Sequence, residues 1–345
     1  MSDTTAFLRN TWYVAAQSSA IDHALCAQTL LGENLLFYRD SKGTPVALED
    51  ACPHRKLPLS MGKLVGDTVQ CGYHGLTFDC HGTCVAAPTQ DRLPVDAKVK
   101  SFPVVERYGL LWIWMGDVEK ADESLIIDIE DYDKTDWGRT DGGMLEVECH
   151  YLYLIDNLLD PSHVAWVHES SFAASGTEST PLQIDETDSG VIVSRWIRDQ
   201  LPPPYYADKV GFAGNADRLQ HYEVRLPSIA VNIGMYTPAG KGGHEGSLPA
   251  DTYKMRSYHF MTPVSQTRTR YHWFQHYNTD PNNEAVREQL NQGARTAFEE
   301  DRVVLEAVQS GIDNANSRPI NLMLDKGAQI FRNKLARHIA AENGN

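Results

Sequence analysis

Two short segments, Cys52-Pro53-His54 and Cys71-Gly72-Tyr73-His74, are separated by sixteen residues, and each supplies one thiol and one imidazole. This constrains the fold more than any other feature, because two loops must converge on one metal group. Two Cys can hold one iron and two His the other, which makes a [2Fe–2S] centre of the Rieske type. Neutral imidazoles in place of two thiolates raise the reduction potential well above that of an all-Cys cluster. A structural zinc site with two Cys and two His is the competing reading. Zinc fingers group like ligands together, whereas here Cys and His alternate. Pro53, Arg55 and Gly75 suit tight loops with backbone N–H groups aimed at sulfur. The alternation favours the cluster, so the chain is expected to handle single electrons.

The chain has 345 residues and a formal net charge of -15, with no basic run. A cluster-bearing module needs only about a hundred residues, so a second large unit follows it. Binding to a nucleic-acid backbone needs clustered Lys and Arg and is not expected. No apolar run reaches the length of a membrane span, and residues 1–10 show no charged-then-apolar signal pattern. A soluble cytoplasmic protein is the expectation. Six Cys without a secretory signal do not read as a disulfide framework. Cys80-His81-Gly82-Thr83-Cys84 looks like a further metal fragment but has no second half, and Asp79-Cys80-His81-Gly82 reads as a hairpin turn. Cys26 and Cys149 read as ordinary buried thiols.

Residues 8–118 alternate like short strands, at 12–16, 34–38, 46–49, 68–71, 76–78 and 110–115, separated by Gly, Ser and Asp. A charged stretch over 119–136 marks the boundary, giving a first domain over 1–125 and a second over 126–345. The second mixes types. An apolar helical run starts at 152–159, and strands are predicted at 191–197, 221–225, 230–236, 253–261 and 270–276. Pro202-Pro203-Pro204 and the glycine-rich 240–246 read as loops, and 283–309 is the clearest helix. The fold class is therefore α+β.

A second constellation lies in Asp160-Pro161-Ser162-His163-Val164-Ala165-Trp166-Val167-His168. Histidines five apart do not share a face of a regular helix, so the spacing needs an irregular turn, and Pro161 supplies a break. The plain alternative is a helix start, with Asp160 as N-cap, Pro161 at the first position and both His incidental. Two His leave room for one carboxylate, the ligand set that non-haem Fe(II) uses to activate dioxygen. The long helix offers it. Its apolar stripe runs Leu290, Ala294, Ala297, Phe298, Leu305 and Val308, and Asp301 falls in that stripe while Glu299 and Glu300 point more to solvent. A lone buried carboxylate is costly unless paired or metal-bound. A salt bridge to Arg295 or Arg302 is the structural alternative.

At these residues the chain resembles the Rieske non-haem iron oxygenases, and most of all their aryl-acid demethylase branch. The similar stretches are 52–60, 71–76, 101–117, 156–168 and 300–303. The resemblance implies an all-β Rieske domain followed by a helix-grip catalytic domain, an antiparallel sheet around a helix. It implies that Cys52, His54, Cys71 and His74 hold the [2Fe–2S] cluster, and that His163, His168 and Asp301 hold a mononuclear Fe(II). Asp160 matches an acid bridging a cluster His of one subunit to an iron His of its neighbour, and Asn157 matches an Asn close to the iron. Asn232 and His259 match polar substrate-pocket residues. Gln292 stands where an aromatic pocket residue is expected, and Lys56 where a small residue is usual. A head-to-tail homotrimer and a separate NADH-dependent reductase are further implications.

The activity this implies is monooxygenation of a methoxy or methyl carbon of a small aromatic acid with O₂, with O-demethylation foremost. Ring dihydroxylation is the alternative within enzymes. A Rieske electron carrier without catalysis is the alternative outside them, and the presence of His163, His168 and Asp301 speaks against it.

Overall fold

A computed structural model describes residues 6–241 and 248–344, so most of the glycine-rich 240–246 segment lies outside the described residues. The chain divides into two compact units, one built on Asp3–Asp128 and the other on Ile129–Met261 with Gln266–Ala341.

The first unit is all β, with short 3-10 turns. Its strands are β1 (Trp12–Gln17), β2 (Cys26–Leu30), β3 (Glu33–Arg39), β4 (Pro45–Glu49), β5 (Lys63–Val65), β6 (Thr68–Gln70), β7 (Thr77–Phe78), β8 (Cys84–Ala86), β9 (Ser101–Phe102), β10 (Val104–Arg107) and β11 (Leu110–Trp114). They form three sheets, in the orders β1-β11-β10, β2-β3-β4-β9 and β5-β6-β7-β8. Bulky apolar runs explain the most buried strands. Leu110–Trp114 is buried at every position, and Trp12 packs edge-on against Trp114 at 5.5 Å. The strands that sequence reading missed are short and partly exposed, as in β5, whose only half-buried residue is Leu64. The expected turn after β7 is present. Gly82 N–H donates to the Asp79 carbonyl (2.9 Å), and Gly82 sits at φ +74 with the space for a Cβ taken by the Val99 carbonyl. Cys149 is fully buried as expected, whereas Cys26 is only half-buried at the edge of its core cluster.

The second unit contains β12 (Gly138–Arg139), β13 (Gly143–Val147), α1 (Tyr151–Leu159), β14 (Gln183–Glu186), β15 (Gly190–Gln200), the single turn α2 (Pro204–Ala207), β16 (Ala216–Arg225), β17 (Ile229–Pro238), β18 (Tyr253–Ser265), β19 (Arg268–Tyr277), α3 (Glu284–Asn314) and α4 (Lys326–Glu342). The strands make one antiparallel sheet of order β12-β19-β18-β17-β16-β15-β14, with β13 also on β19. Asn283 caps α3 through its side chain. The helix buries Leu290, Ala294, Ala297, Phe298, Asp301, Leu305 and Gln309. Leu290 joins the aromatic cluster of Tyr206, Tyr236 and Tyr253, and Phe298 stacks edge-on with Trp273 at 5.0 Å, so α3 lies on one face of the sheet. Val308 is exposed, contrary to the expected stripe. The helical repeat carries the buried face from Leu305 to Gln309, whose amide oxygen accepts the His150 N–H (2.9 Å). Among the described residues no helix is long and apolar enough to cross a membrane.

Four buried histidines of this unit are held neutral. Burial pushes His259 and His272 down to about 3, and His150 and His276 down to about 4. The unfolded chain therefore takes up protons first as pH falls. Their contribution to stability is complete above the unfolded value of about 6.5 and is lost as pH falls toward the folded values. At pH 5 each histidine costs about 2 kcal/mol relative to neutral pH. Thermal melts between pH 7.5 and 5 are expected to show the transition of this unit falling by more than about 5 °C. A melting temperature independent of pH would contradict neutral burial.

Candidate functional site

The two Cys/His loops repeat one backbone pattern. Cys52 N–H donates to the Leu57 carbonyl (2.9 Å), and Lys56 N–H donates to the Cys52 carbonyl (2.8 Å). Likewise Cys71 N–H donates to the Leu76 carbonyl (2.8 Å), and Gly75 N–H donates to the Cys71 carbonyl (3.2 Å). Lys56 (φ +58) and Gly75 (φ +74) occupy the same left-handed position of the two loops. Lys56 thus bears a backbone strain that Gly75 avoids. The loops bring both thiols together under cover, with Cys52 2% and Cys71 3% exposed, and set the His54 and His74 rings 4.7 Å apart. Burial raises the Cys52 thiol, backbone N–H groups of His54 and Arg55 aimed at its sulfur oppose this, and the nearby Cys71 raises it further. Unbridged thiols facing each other, paired imidazoles and N–H groups directed at sulfur form a donor set that fits a mixed-ligand [2Fe–2S] cluster.

The second site lies where α1 ends. Asp160 follows the helix as its C-cap, not as the N-cap of a new one, and its carboxylate accepts the Ser162 N–H (2.7 Å). A short 3-10 turn, His163–Ala165, then supplies the irregular geometry that the five-residue spacing requires. His163 Nδ1–H donates to the Asp160 carbonyl (2.5 Å), and His168 Nδ1–H donates to the Glu300 carboxylate (2.7 Å). A carbonyl or carboxylate oxygen can only accept. Both rings are therefore protonated at Nδ1, which leaves Nε2 as the free donor atom in the neutral form. Asp301 Oδ1 lies 3.6 Å from His163 Nε2 and 3.2 Å from His168 Nε2.

His163, His168 and Asp301 are thus brought together, with one ligand atom from each within 4.8 Å of the others. Asp301 is 4% exposed, and Arg302 pairs instead with Glu299 and Glu306, which removes that salt-bridge alternative. Burial opposes the charge on Asp301, but the His168 bond and the nearby His163 hold its carboxyl below the usual range. Burial likewise opposes a positive charge on His168, yet Asp301 and Glu300 hold it above the usual value. The pocket favours a cation among these groups, as a metal site must. The donor set fits Fe(II), which when bound there would supply dioxygen activation.

Glu300 is a correction to the sequence reading. It does not simply face solvent but orients a metal-ligating imidazole. Only its position beside Asp301 on the helix could have signalled this. Asn157 Nδ2 lies 3.5 Å from His163 Nε2, and its amide is near enough to Asp301 to help hold that carboxyl below the usual range.

The triad forms one wall of a cavity with about 750 Å³ of atom-free space including its mouth. Leu158, Phe172, Met255, Ala297 and Phe298 supply apolar lining, and Gln220, Tyr222, Asn232, Ser257 and His259 supply polar lining. Strand pairing explains the grouping. Tyr222 stands opposite Asn232 and Asn232 opposite Ser257, so alternate residues of three strands share one face. His259 Nδ1 pairs with the Tyr271 hydroxyl (2.6 Å), while its Nε2, Asn232 Oδ1 and Ser257 Oγ are buried without hydrogen-bond partners among the described residues. Gln292 is exposed on the outer side of α3 and does not line the cavity.

A Rieske domain feeding one-electron chemistry at a two-His-one-carboxylate iron is the architecture of one enzyme class, the Rieske non-haem iron oxygenases, and this chain belongs to it. Residues 11–103 match the Rieske [2Fe-2S] domain family, and residues 147–341 match the vanillate O-demethylase oxygenase C-terminal domain family. The chain is 37% identical to the toluene-4-sulfonate monooxygenase system iron-sulfur subunit TsaM1 of Comamonas testosteroni, over 98% of this chain and 99% of that one. It is 34% identical to a vanillate O-demethylase oxygenase subunit of Pseudomonas sp. (strain HR199 / DSM 7063), over 97% and 96% of the two chains. Its fold is similar to that of dicamba monooxygenase bound to 3,6-dichlorosalicylic acid, with a TM-score of 0.90 and 29% identity over 98% and 99% of the chains. The protein is the terminal oxygenase of a Rieske monooxygenase, and its cofactors are a [2Fe–2S] cluster and a mononuclear Fe(II).

Replacing His163 or His168 by Ala is expected to abolish turnover and empty the mononuclear site while leaving the visible cluster bands intact, because the two centres share no ligand. Loss of those bands would contradict the ligand assignment. Glu300→Gln keeps an acceptor for His168 but removes a charge. It is expected to weaken iron retention by about tenfold, read by titration with a chelator, with the cluster spectrum unchanged.

Proposed function

We propose that the chain hydroxylates the methoxy or methyl carbon of a small aromatic acid, with O-demethylation as the principal outcome. One observation carries the reading. Three buried polar atoms without partners, Asn232 Oδ1, Ser257 Oγ and His259 Nε2, line a cavity that is otherwise largely aromatic and apolar and that ends at the triad. Such atoms are costly unless a ligand completes them. A flat ring with a polar substituent supplies both surfaces. The names of the relatives support this class, since they act on toluene-4-sulfonate, vanillate and dicamba.

In this proposal Asn232 and His259 hydrogen-bond the polar groups of the substrate. His163, His168 and Asp301 would hold the Fe(II), which when bound supplies dioxygen activation. Cys52, His54, Cys71 and His74 would hold the cluster that delivers electrons one at a time. His259 remains neutral, so it recognises by hydrogen bonding and not by charge. The aromatic lining excludes water from the reacting carbon. A methoxy carbon hydroxylated there is a hemiacetal, which collapses to a phenol and formaldehyde. Asn157 positions the Asp301 carboxylate.

The domain over 1–125 takes electrons from a separate NADH-dependent reductase, and the domain over 126–345 carries out the oxygenation. Relatives that are oxygenase components or subunits of larger systems support this division. A cytoplasmic setting, where NADH is available, fits it. The working form is a homotrimer in which Asp160 links His163 to a cluster His of the neighbouring subunit. The half-buried Asp160 and the exposed Trp166 on the same short segment support a subunit contact there.

A panel of methoxy- and methyl-substituted benzoates and sulfonates, assayed with a surrogate reductase, is expected to give substrate-dependent O₂ uptake with formaldehyde from the methoxy members. Uptake with neutral aromatics and none with any acid would overturn the substrate class. Asp160→Asn is expected to keep both metal centres and the trimer in sedimentation, yet slow product formation by about a hundredfold or more. Near-normal single-turnover transfer from reduced cluster to iron would remove the bridging role.

A further inference from the structure

The cavity wall poses a charge problem for an acidic substrate. Among the described residues that line the cavity there is no Lys or Arg, and Asp301 brings a negative charge to it. His259 is neutral at working pH. The chain as a whole is acidic, at -15. An anion entering this cavity needs positive charge from just beyond its lining.

Two buried guanidinium groups stand beside the cavity, on the same sheet face as the strand residues that line it. Arg195 is the Cα partner of Gln220, and Arg218, two residues along β16 on the same face, is the partner of Tyr236. Arg195 is 4% and Arg218 1% exposed. Their hydrogen bonds to described residues all go to uncharged groups. Arg195 donates to the Gln220 side chain (2.7 Å), the Pro161 carbonyl (2.9 Å) and the Thr177 carbonyl. Arg218 donates to the Ser175 carbonyl (2.9 Å) and the Thr177 hydroxyl (3.2 Å), while its Nε and Nη1 are buried without partners. Among the described residues no carboxylate lies at ion-pair distance from either. Asp160 and Glu178 offset part of their charge from beyond ion-pair distance, and both guanidinium groups act on the phenol of the cavity-lining Tyr222, so a positive field reaches the cavity from this side.

Gln220 connects that field to the cavity. A guanidinium can only donate, so the Gln220 atom facing Arg195 Nε must be the carbonyl oxygen. The amide N–H₂ is then the donor end left for the cavity that Gln220 lines. Its cross-strand neighbour on the other side is Gly234, which has no side chain to fill the space in front of it. A Cβ there would rest in van der Waals contact with the Tyr236 and Tyr206 rings, so the space in front of Gly234 is narrow and bordered by tyrosines.

We infer that Gln220, fixed by Arg195 and backed by Arg218, is the anion-recognising element of the substrate site, binding the carboxylate or sulfonate and thereby directing the opposite, alkylated end of the ring to His163, His168 and Asp301. The inference rests on the aromatic-acid reading given above and deepens it. Asn232 and His259 then serve the ring's remaining polar groups, and Arg195 is a positioning residue that also bonds the Pro161 carbonyl of the metal-ligand segment.

The test is equilibrium binding by calorimetry to the cluster-loaded, iron-loaded protein without reductase. The probes are 4-methoxybenzoate and 4-toluenesulfonate, with neutral 4-methoxybenzamide as control. Gln220→Glu keeps an acceptor for Arg195 but neutralises the field and removes the donor. It is expected to weaken binding of both acids by tenfold or more and to change binding of the amide by less than threefold. Arg218→Met, which replaces a buried unpaired charge by an apolar chain of similar length, is expected to weaken acid binding at least fivefold without lowering the melting temperature. That separates an electrostatic role from a structural one. Wild-type-like acid binding by Gln220→Glu would overturn the inference while leaving the aromatic-acid reading in place. A wild-type protein that binds the amide and neither acid would overturn both.

Discussion

The catalytic unit depends on where two imidazole protons go. His163 gives its Nδ1–H to the Asp160 carbonyl and His168 gives its own to Glu300. With those protons committed, both Nε2 lone pairs are left to share a metal ion with the Asp301 carboxylate. The end of α1, the break at Pro161 and the short turn after it set the first bond, while the packing of α3 on the sheet sets the second. Neither bond is part of a helix or sheet ladder, yet each decides whether three side chains make a metal site or merely a buried ion pair.

The same α3 that delivers Asp301 also delivers Phe298 to the aromatic layer over β19. Substrate cavity and metal site are therefore built from one helix face and one sheet face. Alternation along β16, β17 and β18 places Gln220, Tyr222, Asn232, Ser257 and His259 on that sheet face. Hydrogen-bond capacity is placed there before a ligand arrives, as a pre-organised site requires.

Ligands that carry a sequence spacing were the most legible. The alternating Cys and His of the two loops, the irregular five-residue step from His163 to His168, and Asp301 within an apolar stripe each violate a local rule, and each violation marks function. The major strands and α1 followed from their apolar patterns. α4 and the short, half-exposed strands of the first unit did not, because their burial depends on neighbours remote in sequence. Val308, expected in the buried stripe, is exposed because the next residue, Gln309, takes the buried face and satisfies the His150 N–H. Glu300, Gln220 and the two buried arginines were invisible for a related reason. Their roles arise from partners fifteen or more residues away in the chain, and nothing in their sequence neighbours distinguishes them from surface polar residues.

Two distinct metal centres in one chain underlie this chemistry, and stoichiometry tests their presence most directly. Iron and acid-labile sulfide should be determined on protein purified anaerobically and loaded with Fe(II). About three irons and about two sulfides per chain are predicted, with about one iron removable by a mild chelator without loss of the visible cluster bands. About two irons, none of them separable from the cluster, would contradict the catalytic site and leave an electron carrier.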